Sequence, residues 1–293
     1  MGKVYEALKK AEVDGNLAAW TSVPADDPPK RRPSDRNRPH GLDFIDYSLN
    51  ASDSVEIERR NRQEEADEAA RKSMMQPARE MSIDITRIGT QLISFKNDNT
   101  EAAEEYNRLA VRLITTAGER TLKRVLLASA EHGDGRTSIT LNLACALAKA
   151  QRRVLVVDTD LHRPSLLRLL GLTSDFGLTD AISRGLPAGS AMVRIQPFGF
   201  TLLPTREQAK NPSELLSSGN FTEMLNMLEA DYDFLLFDSP PLLRGADSSF
   251  LIRHTHGTVL VIRAGKTKSK QLGRAIAALA PEKFLGVVLN RAA

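Results

Sequence analysis

Residues 125–138 read Val-Leu-Leu-Ala-Ser-Ala-Glu-His-Gly-Asp-Gly-Arg-Thr-Ser: an apolar strand, a glycine-bearing loop and a helix start. No other run limits the fold as strongly. Gly133 and Gly135 open backbone conformations closed to residues with a Cβ, so successive N–H groups can turn toward one point. The helix expected over Thr137–Ala150 carries Ile139, Leu143 and Leu147 at helical spacing and aims its positive dipole end at that point. This is the layout of a phosphate-binding P-loop, Gly-x-x-x-x-Gly-Lys-Ser/Thr, with Ala130 at the first position and Arg136 at the lysine. Gly133, Asp134, Gly135, Arg136, Thr137 and Ser138 are the candidate phosphate contacts, and the Thr137 hydroxyl is a candidate Mg2+ ligand. Arginine is planar and forked where lysine is a point charge, so the exchange is not conservative. Alone, the loop fits a ligand-free strand-to-helix turn as well as a phosphate cradle.

Two further strand ends give the loop its context. Val154–Val157 is a continuous apolar run ending in Asp158-Thr159-Asp160, and Phe234–Phe237 ends in Asp238-Ser239-Pro240-Pro241. Such unbroken runs suit strands buried on both faces of a parallel sheet. Ligands of open α/β sheets bind outside the carboxyl ends of the strands, so these ends are expected to converge on one crevice. Carboxylates there can hold a divalent cation or accept a proton from an attacking hydroxyl. Strands at 124–129, 153–158, 200–204, 233–238, 258–263 and 285–289 alternate with helices at 101–116, 137–150, 220–230 and 268–279. The expected fold is α/β, a doubly wound, mainly parallel sheet of the P-loop NTPase type.

With these motifs in place, residues 104–291 resemble the bacterial tyrosine kinases of capsular and exopolysaccharide biosynthesis, within the MinD/ParA-like P-loop class. The resemblance rests on Ser129–Ser138, on Asp158-Thr159-Asp160-Leu161-His162-Arg163-Pro164 and on Leu235–Pro241. Asn211–Ser218, Gly177–Asp180 and the closing Gly286–Arg291 add to it. It implies ATP and Mg2+ as cofactors. Arg136 and Thr137 would face the phosphates; Asp158 would be the base or metal-linked carboxylate, Asp160 its companion and Asp238 the Mg2+-side carboxylate. Thr137, Asp158 and Asp238 thus form the implied metal set, Asp158, Asp160 and Arg136 the implied catalytic set, and Asn290 lies near the adenine. Asp247 either matches an aspartate common in the family or caps the helix expected over Ser248–Arg253. The implied partners are protein tyrosine substrates, a membrane polysaccharide co-polymerase or chain-length protein, and further copies of the chain.

The sequence departs from the family at several points. His132 stands where the family has Pro, Arg136 where it has Lys, and His162 where it has Arg. No tyrosine cluster follows Asn290-Arg291, and the tyrosines, Tyr5, Tyr47, Tyr106 and Tyr232, are scattered, so the usual autophosphorylation tail is expected to be missing. The oligomerisation pattern Glu-x-x-Arg-x-x-Arg keeps Glu105 and Arg108 but has Val111 at its third position.

Composition sets the remaining bounds. A formal charge of +3 is too mild to call for nucleic acid. The lone Cys145 fits a buried apolar role and a cytoplasmic setting. No apolar run approaches bilayer length, so membrane spans are expected to come from a partner holding the chain at the inner face of the plasma membrane. Residues 1–100 are expected to be an extension and 101–293 the P-loop domain. In the extension, 2–13 read as a short amphipathic helix, 22–40 as a Pro- and charge-rich linker including Lys30-Arg31-Arg32, and 54–75 as a polar helix. Three activities remain open: an active tyrosine kinase, a catalytically impaired relative that regulates polysaccharide chain length or export, and a MinD/ParA-like positioning ATPase.

Overall fold

The computed structural model describes residues 79–96 and 100–290, together with isolated positions between 59 and 77. The helix expected at 2–13, the linker at 22–40, its basic cluster, Tyr5 and Tyr47 lie outside the described residues. Of the polar helix expected at 54–75, the described positions 59–63, 65, 68, 69, 72 and 74 are helical.

Eight strands form one sheet: β1 (Arg79–Ser82), β2 (Arg124–Ser129), β3 (Val154–Asp158), β4 (Val193–Gln196), β5 (Thr201–Leu203), β6 (Phe234–Asp238), β7 (Gly257–Arg263) and β8 (Phe284–Asn290). Their spatial order is β1-β4-β5-β3-β6-β2-β7-β8. Every neighbouring pair is parallel except β4–β5. The central strands are buried throughout, as their unbroken apolar runs require.

The pleat divides these strands between two cores. Leu126, Leu155, Val157, Leu235, Phe237 and Leu260 face one helical layer. Val125, Leu127, Val156, Leu236 and Val259 face the other. From residue 79 onward the helices are α1 (Glu101–Glu119), α2 (Arg136–Lys149), α3 (Leu166–Leu170), α4 (Leu178–Arg184), α5 (Ala188–Ala191), α6 (Pro212–Ser217), α7 (Gly219–Asp231), α8 (Asp247–His254) and α9 (Ser269–Ala277). The Thr100 side chain accepts from the Ala103 amide at 3.1 Å, and Glu101 and Glu104 place negative charge in the first turn of α1.

Helix α2 is less amphipathic than its Ile139, Leu143, Leu147 stripe suggests. Residues 139–147 are all buried, because the helix is enclosed by the sheet, by α1 and by the short 3-10 turn Ile93–Phe95. Cys145 is buried there and its thiol donates to the Ser94 carbonyl at 3.3 Å.

The edge strand β1 and its neighbour β4 are strands that the hydrophobic pattern does not show. β1 is polar and largely exposed, and β4 alternates buried and exposed residues over only four positions. A short, polar edge strand such as β1 discourages pairing with other chains, which also erases its signature. The P-loop domain therefore reaches further back than the expected boundary at residue 101. β1 pairs with β4, and Ile83, Ile88, Leu92 and Phe95 are buried in the same core as α2.

Candidate active site

The three strand ends converge as the parallel order demands. β6 lies between β2 and β3, and Asp158 and Asp238 are direct Cα partners across the β3–β6 pair. The P-loop leaves β2 beside them. Gly133 (φ +83°) and Gly135 (φ +97°) both occupy the left-handed region, the conformational role read for them from sequence. Gly135 has a second reason to be glycine, since a Cβ there would overlap the Asn290 side-chain amide. That amide donates to the Asp134 carbonyl at 2.8 Å, so the last strand clamps the loop.

Arg136 turns into the site's interior. Its Nη1 donates to Ser129 Oγ at 2.6 Å and its Nη2 to Asp160 Oδ2 at 3.2 Å, while Nε lies 3.8 Å from Asp238 Oδ1. The guanidinium and both carboxylates are almost wholly buried. The cation at the lysine position thus neutralises the protein's own acids.

The acids outnumber it. Burial and the neighbouring Asp238 charge push the Asp158 carboxyl well above its ordinary range. Burial raises Asp238 to about 6, against the lowering influence of Arg136 and of the nearby Thr137 and Thr140 hydroxyls. Asp160 is also raised by burial, with Arg136 opposing. Asp158 Oδ2 accepts a long, 3.4 Å bond from the Leu166 amide, whereas Asp158 Oδ1 and both Asp238 side-chain oxygens lack a well-formed hydrogen bond. Buried acceptors without donors are costly. Hard oxygen ligands left in this state beside a threonine hydroxyl fit a Mg2+ ion, which takes few protein ligands and keeps several waters.

Other expected site residues have partners within the protein. Asp134 folds its carboxylate back, accepting from the Glu131 amide at 3.1 Å and from Thr267 Oγ1 at 2.9 Å. Ser138 accepts at its carbonyl from Asn142 at 2.8 Å. Asp247 lies within the first turn of α8 rather than capping it; Ala246 precedes the helix. Its buried carboxylate takes His162 Nε2 at 2.6 Å on one oxygen and the Ser213 hydroxyl on the other. It therefore joins the Asp158–Pro164 motif to the Asn211–Ser218 motif.

Sequence reasoning missed the segment after β7. Gln271 donates to Glu131 at 3.1 Å, Thr267 donates to Asp134, and Arg263 Nη1 reaches the Gly133 carbonyl at 3.4 Å. The available signal was its place directly after a strand; it carries no motif. A cleft of about 980 Å3 lies elsewhere, at the amino end of β3 beside Lys149, Arg153 and Phe198. The chemistry gathers instead where buried carboxylates meet the glycine loop.

The ParA family, described as NUBPL iron-transfer P-loop NTPase, matches residues 121–290. The Bacillus subtilis tyrosine-protein kinase YwqD is 30% identical over 207 residues, covering 70% of this chain and 87% of that protein. The BceF tyrosine kinase domain superposes with a TM-score of 0.61 at 27% identity, covering 69% of this chain and 83% of that domain. The chimerical protein CapA2B2 has the same fold, with a TM-score of 0.66 at 23% identity over 76% of this chain and 98% of its own. With its P-loop, its paired strand-end aspartates and these relatives, the chain belongs to the ParA-like P-loop NTPases, within the bacterial tyrosine-kinase branch.

Proposed function

We propose that this chain binds Mg·ATP in the crevice between the P-loop and Asp158, Asp160 and Asp238, and transfers the γ-phosphoryl group to protein tyrosine in capsular or exopolysaccharide biosynthesis. One observation carries the reading: Asp158 and Asp238 stand side by side with unsatisfied buried oxygens next to a left-handed glycine loop. Thr137, Asp158 and Asp238 would hold Mg2+, which supplies charge neutralisation for the phosphates. Amides of the P-loop and the N-terminus of α2 hold the phosphate oxygens. Asp158 accepts the tyrosine hydroxyl proton as the new O–P bond forms and ADP departs; burial makes its carboxylate a stronger base once ionised. Arg136 keeps Asp160 and Asp238 in place.

A second reading has its own support. Because Arg136 is already paired with Asp160, alignment for transfer can be weak while nucleotide binding persists. The protein would then regulate chain length or export without catalysing. In both readings a membrane protein partner recruits the chain; no helix among the described residues is long and apolar enough to cross a membrane. Further copies of the chain are also proposed partners; Glu105 and Arg108 of α1, which keep two positions of the oligomerisation pattern, pair with each other at 2.8 Å.

The test is Mg·ATP affinity followed by labelled-phosphate transfer to a tyrosine polymer, for wild type and Asp158→Asn. Binding with transfer that the substitution abolishes supports the kinase. Binding without transfer selects the regulator. Lack of binding removes both readings, and nucleotide-stimulated filament or membrane patterning without tyrosine transfer would favour a positioning ATPase.

A further inference from the structure

Within the nucleotide reading above, on which this inference rests, Arg136 leaves a vacancy: a P-loop lysine meets phosphates as a mobile point charge. We propose that Lys266, on the loop between β7 and α9, supplies the phosphate-facing cation of this site. Its ligand class is a nucleoside di- or triphosphate.

Position is the first support. The Lys266 ammonium packs over Gly133, with Nζ 3.3 Å from where a Cβ on that glycine would stand. A Cβ at 133 would crowd the ammonium by a few tenths of an ångström, so the glycine both frees the backbone and leaves the close approach open.

The second support is rigidity. Arg263 accepts at its carbonyl from the Lys266 and Thr267 amides at 3.2 and 3.0 Å, and its own amide donates to Thr267 Oγ1 at 2.9 Å. Thr267 then donates to Asp134, Gln271 to Glu131, and Arg263 Nη1 to the Gly133 carbonyl. The Ala264 amide bonds the Asn290 carbonyl at 2.9 Å, while the Asn290 side chain clamps Asp134. Loop and P-loop are thus held as one unit, and only the lysine's flexible stem is left to adjust.

The third support is availability. Acidic groups crowd the rim, but Glu131 faces Arg244 at 3.6 Å and Asp134 is hydrogen-bonded internally. Lys266 forms no ion pair among the described residues and is exposed. Arg136, by contrast, is enclosed between Ser129, Asp160 and Asp238. A compact ammonium on a four-carbon stem can follow a phosphate; a forked guanidinium seated on two carboxylates gives up ion pairs to do so.

The experiment measures ADP and ATP binding by calorimetry in Mg2+ buffer at two salt concentrations, for wild type, Lys266→Ala, Lys266→Arg and the control Lys270→Ala. Unfolding without nucleotide is measured alongside. The expected result is a roughly tenfold loss of ADP and ATP affinity for Lys266→Ala, the scale of one charge-assisted hydrogen bond. Its salt dependence should be shallower, Lys266→Arg should recover part of the loss, and the nucleotide-free stability of all variants should be unchanged. Wild-type affinity in Lys266→Ala would overturn the inference and leave the nucleotide site standing. A drop in nucleotide-free stability matching the affinity loss would assign Lys266 a structural role instead. No binding by wild type would remove the nucleotide reading and this inference together.

Discussion

The Arg136 guanidinium lies 3.2 Å from the Asp160 carboxylate, both groups almost wholly buried, so the residue at the P-loop's lysine position is half of an internal ion pair. Removing it strands Asp160 and Asp238 without their countercharge. Arg136→Met should destabilise the nucleotide-free protein by roughly 3–5 kcal/mol at neutral pH, the scale for breaking a buried pair. Arg136→Lys should cost less because the charge remains. Denaturant titration decides, and an unchanged midpoint for Arg136→Met would contradict the structural role.

Stability should also respond to acid through Asp238. Its folded-state pKa is about 6 against an ordinary 3.8, so the folded chain binds that proton more tightly than the unfolded one. The resulting stabilisation is complete below 3.8 and lost as the pH rises through about 6. His132, His254 and His256 work in the opposite direction, since burial holds their pKa values down. The informative measurement is therefore the difference between wild type and Asp238→Asn. The variant should gain most over wild type near pH 7, with the gap closing toward pH 4. A pH-independent gap would show that Asp238 does not titrate in this window.

Gly135→Ala combines two penalties that can be separated by comparison with Gly185→Ala. Both glycines have positive φ, but a Cβ at Gly185 meets nothing within 4 Å. Gly185→Ala should cost about 1–2 kcal/mol of backbone strain. Gly135→Ala should add about 1 kcal/mol by displacing Asn290 from the Asp134 carbonyl, and should lower ADP affinity. Equal thermal shifts in the two variants would show that the clamp contributes nothing.

The segment ahead of α1 should prove inseparable from the domain. Phe95 is buried against Phe198 and Phe200, with ring centroids 4.4 and 6.0 Å away. Phe95→Ala should cost about 3–5 kcal/mol. A chain begun at residue 101 should lose cooperative thermal unfolding, because Leu92, Ile88 and Ile83 leave with it. Intact cooperativity in that shortened chain would restore a boundary at 101.

Asp247→Ala should reduce stability by about 1.5–3 kcal/mol, as expected for hydrogen bonds to a buried carboxylate. Ser213→Ala should recover little further loss in the double variant, since both remove the same bond. Strict additivity in that cycle would break the proposed link between the two motifs.

The amino-acid sequence by itself determined the central sheet and the acidic strand ends. Val154–Val157 and Phe234–Phe237 are continuous apolar runs that only double-sided burial satisfies, and an acidic residue closing each marks the carboxyl edge. It also determined the loop's left-handed glycines, because Gly133 and Gly135 permit what neighbouring residue types resist. Tertiary structure alone decided what Arg136 does. Its partners Asp160 and Asp238 are 24 and 102 residues away in the chain, and pairing depends on β3, β6 and β2 lying together rather than on any local pattern. It alone placed Lys266 over Gly133 and Thr267 against Asp134, since a segment without a motif acquires its role only from the strand it follows. The edge strand β1 and its neighbour β4 belong to the same category: four residues each, too short to announce themselves, they are fixed by the sheet they complete.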